Sequence, residues 1–341
     1  MKAIGYTACL PITDEDALQD IELPKPDVSG RDLLIKIDAI SVNPVDYKIR
    51  QNVAAEEGSY KVLGWDAVGT VVEKGPDAEL FNVGDRVFYA GDLTRPGTNA
   101  EYQLVDERIV GNQPKNVSNS EAAALPLTAI TAWEMLFEHL AIKQASEQGK
   151  ASANDVLLIV GAAGGVGSIL IQLAKRLTGA TVIATASREA TQTWVKELGA
   201  DYVVDHSKPL VDQINALDIA PVTHVASLTN TGDYIDSYIE LLKPMGKIAV
   251  IDDPATLDVT KLKRKSLSLH WEFMFTRSMF ATDDMIEQHK LLNQVSALVD
   301  EGTIKTTQAN HMGTINAANL RKAHELLESG RSVGKITLEG F

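Results

Sequence analysis

Ile159-Val160-Gly161-Ala162-Ala163-Gly164-Gly165-Val166-Gly167-Ser168 decides how the rest of this chain is read, because of what stands on either side of it. Asp155 to Val160 is short and apolar, and reads as a buried strand. Ser168 to Leu177 then shows helical spacing, with its polar residues gathered toward one side. Glycines at a strand-to-helix turn let the backbone approach a pyrophosphate, whose charge meets the open N–H groups of the helix. The run departs from G-x-G-x-x-G once, with Ala162 at the place of the first glycine. A merely tight structural turn is the alternative; the strand before and the helix after favour a dinucleotide.

The next strand, Thr181 to Ala186, refines the cofactor. An NAD site places an acidic residue at the strand end, about twenty residues past the glycines. Ala186 holds that place here, followed by Ser187 and Arg188. A hydroxyl and a guanidinium bind a ribose 2′-phosphate that an Asp would repel, so NADPH is expected over NADH. A solvated Arg188 in the first turn of the next helix is the plainer alternative.

Of 341 residues, 45% are apolar and 23% charged, which suits two folded domains and excludes disorder. A net charge of −14 opposes a phosphate backbone, so no nucleic-acid partner is expected. The single cysteine, Cys9, excludes an intrachain disulfide and a cysteine-rich zinc site, and fits a reducing cytoplasm. Met1 to Tyr6 lacks the apolar core of a signal peptide, and no apolar run approaches the roughly eighteen residues of a membrane span. A cytoplasmic protein with no membrane partner is the expectation.

The first third is strand-like, with Leu33–Ile40, Ala67–Glu73 and Gly84–Ala90 separated by Gly and Pro, as in an antiparallel barrel. From Thr128 to Leu136 a helix leads out of it. Strands near 155–161, 181–186, 202–206, 222–229 and 246–252 then alternate with helices near 165–179, 188–199 and 231–243, the pattern of a doubly wound parallel sheet. Ser266 to Phe273 is a candidate sixth strand. Helices near 283–301 and 316–329 and a last strand, Gly334–Leu338, return to the first domain.

Taken together, Ser41-Val42-Asn43-Pro44-Val45-Asp46, Gly64-Trp65-Asp66-Ala67-Val68-Gly69, Gly84-Asp85-Arg86-Val87, Ala124-Leu125-Pro126-Leu127-Thr128, Gly161 to Ser168 and Gly334-Lys335-Ile336 resemble the medium-chain dehydrogenase/reductase superfamily. The likeness is to its quinone oxidoreductase-like branch, often labelled zinc-type alcohol dehydrogenase-like, and it covers essentially the whole chain. It implies an α/β protein: a Rossmann doubly wound parallel sheet inserted into a GroES-like β-barrel catalytic domain. The expected boundaries are 1–127 and 276–341 for the catalytic domain and 128–275 for the NADPH-binding domain. A homodimer is implied by the resemblance alone.

The same resemblance bears on zinc. Metal-using relatives supply a Cys, a His-Glu pair and a second Cys. Matching motifs puts Asn43 at the first Cys, Trp65 and Asp66 at His-Glu, and Leu127 at the second Cys. An amide, an indole and an alkyl group do not make a tetrahedral zinc site, and none of the seven histidines pairs at H-x-x-x-H spacing. No metal is therefore expected. Without a Lewis acid, the remaining chemistry is hydride transfer to an electron-poor acceptor such as a quinone or an enone.

On the acceptor side the resemblance offers Asn43, whose amide suits a developing oxyanion, against a turn asparagine before Pro44. Lys48 stands where better-known quinone reductases have Tyr, and Tyr47 lies one step earlier; a solvated lysine is the alternative. Trp65, Phe273 and Phe275 are candidates for the acceptor wall, with core or dimer-interface packing as the plain reading. On the cofactor side stand Thr128 (or a helix N-cap), Ala163, Gly164, Gly165, Val166 and Gly167 at the pyrophosphate, and Ser187 and Arg188 at the 2′-phosphate. Leu228, Thr229 and Ile251 are expected near the nicotinamide ribose, with Lys335 also toward the cofactor. Asp252 and Asp253 are expected to face water or cap a helix. The rival functions are an enone or enoyl-thioester reductase, which needs a proton donor at the α-carbon, and a silent NADPH-binding redox sensor.

Overall fold

The computed structural model of the protein describes residues 1–145 and 152–341. The chain divides into two compact units, residues 1–130 with 275–341, and residues 131–274.

The first unit is built around one long strand, Asp32–Val42, whose apolar residues are buried along most of its length. It pairs antiparallel with Asp66–Lys74, with Tyr102–Asp106 and with the last strand of the chain, Lys335–Glu339. The register sets Ser41 opposite both Asp66 and Thr337, and Val42 opposite Ile336. One step further along that ladder, Asn43 falls opposite Lys335. Three polar residues from distant parts of the sequence thus converge where the strand ends and the helix Pro44–Asn52 begins. Pro44 starts that helix because a proline at the first helical position loses no hydrogen bond.

The second unit holds a six-stranded parallel sheet, formed by β1 (Val156–Val160), β2 (Thr181–Thr185), β3 (Tyr202–Val204), β4 (Val222–Ser227), β5 (Leu242–Val250) and β6 (Ser268–Trp271). Its strand order is β3-β2-β1-β4-β5-β6, the doubly wound order. All five side chains of β1 are buried, as a central parallel strand covered on both faces requires. Leu158, Val160, Ile183, Val225, Ile248 and Val250 form one core layer with Ile235 and Tyr238 of the helix Thr231–Leu241. The helix Gly165–Leu177 buries Ile169, Leu170, Ile171, Leu173 and Ala174, and places Lys175 and Arg176 in its last turn, where cations suit the macrodipole.

The alternation read from the sequence is present, and the candidate sixth strand is β6. One helix, Leu210–Asn215, lies in a stretch of the sequence that gave no periodic signal. The interdomain helix also differs from expectation: it begins at Pro126, ends at Trp133, and continues as a π-helical stretch, Glu134–His139.

Candidate functional site

In the second unit, β1 and β4 are neighbours while their sequence partners β2 and β5 lie on opposite sides, so the strand order reverses between them. Open α/β sheets bind ligands outside the carboxyl ends of the strands at such a reversal. The glycine turn stands there. Gly161 follows β1 with φ +83°, a backbone conformation that strains any other residue, and its N–H donates to Thr185 Oγ1 at 3.1 Å. A Cβ on Gly161 would lie 3.0 Å from Thr229 Cγ2 and 3.4 Å from Leu228 Cβ, so the end of β4 packs directly on the turn. Gly164 is different. Its φ is ordinary, and an added Cβ would meet only the Gly161 carbonyl oxygen, at 3.5 Å.

The fold itself therefore does not require glycine at 164; what a side chain there would fill is open approach to the helix N-terminus. Ala163, Gly164, Gly165 and Val166 are partly exposed, and the helix that starts at Gly165 presents its first N–H groups at this point. These residues fit a dinucleotide pyrophosphate. Gly167 is buried, and a Cβ there would lie 2.4 Å from the Ala162 carbonyl oxygen. Its lack of a side chain seats the helix on the turn.

At the end of β2, next to β1 in the sheet, Ser187 is half-buried and Arg188 exposed, the latter at the N-cap of the helix Glu189–Glu197. That is the position at which a cofactor's 2′-substituent is read. Ile251 follows β5 half-buried, its N–H donating to the Ser227 carbonyl at 3.3 Å. Asp252 caps the helix Thr231–Leu241, accepting the Thr231 N–H at 2.8 Å and the Thr231 hydroxyl. Phe273, just after β6, is exposed.

The first unit contains a buried polar node. Asp66 Oδ2 accepts from Ser41 Oγ at 2.7 Å, Asn43 Nδ2 at 2.8 Å and Lys335 Nζ at 2.9 Å, while Oδ1 accepts the Leu127 N–H at 2.8 Å. Asp66 is fully buried and Lys335 is 3% exposed. An ion pair so deep is tolerable because both carboxylate oxygens and all three ammonium protons are hydrogen-bonded. Leu127 lies in the first turn of the helix Pro126–Trp133, so Asp66 also places a carboxylate at a helix N-terminus. Beside it, Asp46 Oδ2 accepts the Asn43 N–H at 2.7 Å. Burial pushes the Asp46 carboxyl up to about 7, against the Asn43 N–H and the Lys335 charge, which pull it down.

Several expected roles change here. Lys335 is not placed to meet a cofactor: its ammonium donates to Val42 O, Asn43 Oδ1 and Asp66 Oδ2, which uses all three protons. Asn43 is a member of the node rather than a simple turn residue: its amide oxygen accepts from Lys335, and one of its two amide N–H groups donates to Asp66. Trp65 is core: it is buried, its indole N–H donates to the Asp92 carbonyl at 3.2 Å, and its ring meets buried Phe275 edge-on at 6.2 Å. Trp65 and Phe275 therefore pack on each other rather than wall an open site. Thr128 lies inside the first turn of its helix rather than at the cap, with its hydroxyl donating to the Leu125 carbonyl at 3.1 Å. Tyr47 and Lys48 are half-buried on the helix Pro44–Asn52.

Asp66 and Lys335 as partners were missed by sequence reasoning, since 269 residues separate them. The positions matched to zinc ligands carry an amide, an indole and an alkyl group, and the space beside them is taken up by an ammonium and its carboxylate. They do not fit zinc. Among the described residues no group of three or more His, Cys, Asp or Glu could hold a metal ion. Nor, among them, is any helix long and apolar enough to cross a membrane.

Two family models match: an alcohol dehydrogenase GroES-like domain over residues 29–115 and a zinc-binding dehydrogenase over 165–291. A zinc-type alcohol dehydrogenase-like protein of Staphylococcus aureus (strain MSSA476) is 41% identical over 341 residues, covering 99% of each chain. Among solved structures, a Rhizobium etli CFN 42 protein named for a zinc-dependent alcohol dehydrogenase is 53% identical, with a TM-score of 0.95 over 100% of this chain and 98% of that one. The quinone oxidoreductase of Coxiella burnetii is 29% identical, with a TM-score of 0.81 over 100% and 99%.

Proposed function

The chain belongs to the zinc-type alcohol dehydrogenase-like family of medium-chain dehydrogenase/reductase oxidoreductases, and from that premise we propose that it oxidises NADPH without zinc and reduces a quinone or a similarly electron-poor carbonyl. Two observations carry this reading: a glycine turn open at Gly164, and zinc-ligand positions whose one possible donor, Asp66, is already bonded to Lys335. NADPH, when bound, would supply the hydride, and a single solvent proton balances the two-electron reduction of the acceptor. The N–H groups from Gly165 and Val166 hold the pyrophosphate, and Arg188 with Ser187 holds the 2′-phosphate. Leu228 and Thr229, fixed against Gly161, orient the nicotinamide ribose.

No protein group in this reading ionises an alcohol, which is why the acceptor must already be electron-poor. The resemblance of 29% to a quinone oxidoreductase supports quinones as the first class to try. We also place the protein in the cytoplasm as a homodimer. Its lone, exposed Cys9 suits a reducing compartment, and the outer edge strand β6 carries Trp271 at 55% exposed.

The test is NADPH oxidation followed with a panel of quinones and enones. Turnover of quinones with NADPH preferred over NADH is the expected result. Turnover of enones alone would replace the quinone reading with the enone reductase, and tight NADPH binding with no turnover would replace both with a sensor.

A further inference from the structure

Helix Glu189–Glu197, whose N-cap is Arg188, is tied to the glycine turn by a two-step hydrogen-bond relay. Trp194 Nε1 lies 2.8 Å from Ser168 Oγ, and Ser168 Oγ lies 2.7 Å from the Gly164 carbonyl oxygen. The direction is fixed by chemistry. An indole N–H only donates and a carbonyl only accepts, so the serine hydroxyl receives from Trp194 and gives its one proton to Gly164. Ser168 is fully buried, in the helix whose N-cap is Gly164. Packing alone would be served by Phe at 194 and Ala at 168.

The near end of the Arg188 helix is held as well. Thr191 Oγ1 donates to the Arg188 carbonyl at 2.7 Å and accepts its N–H at 3.2 Å, and Gln192 Nε2 donates to the Ala186 carbonyl at 3.1 Å. The segment from Ala186 to Trp194 is therefore one stiff piece, bonded at one end to β2 and at the other, through Ser168, to the turn.

We propose that Trp194, through Ser168, is a specificity-determining positioning residue: it sets the spacing between the Arg188 side chain and the pyrophosphate turn, and hence the preference for NADPH over NADH. The inference rests on the reading of Arg188 given above. NADPH carries two anionic groups at a spacing fixed by its ribose, and both are met at once only if turn and helix hold their separation. NADH lacks the second group and is indifferent to it.

The experiment is equilibrium titration of NADPH and NADH into wild type, Trp194→Phe, Ser168→Ala and Arg188→Ala, with thermal unfolding of each. Breaking the relay, by loss of one neutral hydrogen bond in Trp194→Phe and of both in Ser168→Ala, is expected to weaken NADPH about fivefold or more and NADH less than about twofold. Ser168→Ala tests the same relay with the tryptophan packing kept, so a misfolded Trp194→Phe leaves the question decidable. Equal weakening of both cofactors, or none of either, in a folded relay variant overturns the proposal while the loss at Arg188→Ala upholds the NADPH reading. If Arg188→Ala leaves the preference unchanged, that reading falls and takes the relay with it.

Discussion

At the scale of a single residue, Asp46 makes the sharpest claim. Its carboxyl is fully buried and pushed up to about 7 by desolvation, with two backbone N–H groups and Lys335 pulling the other way. In the unfolded chain an aspartate ionises near pH 3.9. Between that value and about 7 the unfolded state has released a proton that the folded state still holds, so folding loses stability as pH rises through this window. Above it the loss is complete and constant. Asp46→Asn removes the titration while keeping an oxygen to accept the Asn43 N–H. The variant is expected to unfold at nearly the same temperature as wild type at pH 4, and at a higher one at pH 8. A variant less stable than wild type at pH 8 would mean that the ionised carboxylate is needed by the node, and the desolvation account would be wrong.

Elements are where the sequence spoke most clearly, and where its silence has a physical cause. Strands and helices of the second unit follow from periodicity and turn residues that are local in the chain, so β1, the glycine turn and its helix were readable, as was β6. The helix Leu210–Asn215 was not, because six residues bounded by Pro209 give too few turns for a period to emerge. The polar node was invisible for a different reason. Asn43, Asp66 and Lys335 meet only through the antiparallel register of three strands, and register is a tertiary quantity. Lys335, expected toward the cofactor from the resemblance its motif carries, is turned to Asp66 by the pairing of its strand.

At this scale β6 also carries a prediction. It is the edge of its sheet, and Trp271 and Phe273 at 55% and 50% exposed leave an apolar edge that a monomer rarely keeps. Wild type is expected to show a dimer mass by light scattering, and Trp271→Lys, which puts a charge on the edge, a monomer mass. A monomeric wild type at micromolar protein would refute it.

Taken whole, the molecule has its ionic chemistry arranged against a metal rather than around one. A zinc ion needs three or four thiolate, imidazole or carboxylate ligands within about 2.3 Å. Of the two buried carboxylates near the matched ligand positions, Asp66 is neutralised by Lys335 and bonded at both oxygens by Ser41, Asn43 and the Leu127 N–H, and Asp46 accepts the Asn43 N–H. To bind zinc there, the ion would have to displace an ammonium from its carboxylate and take an amide and an indole in place of its usual ligands. Either step alone opposes binding, since an uncompensated buried lysine is among the most unfavourable groups a fold can hold. Protein purified without added metal is therefore expected to carry far less than one zinc per chain by elemental analysis, and to oxidise NADPH at the same rate before and after chelation. Stoichiometric zinc that survives a chelator, with activity lost when it is finally removed, would show that donors from elsewhere in the chain replace those missing at Asn43, Trp65 and Leu127.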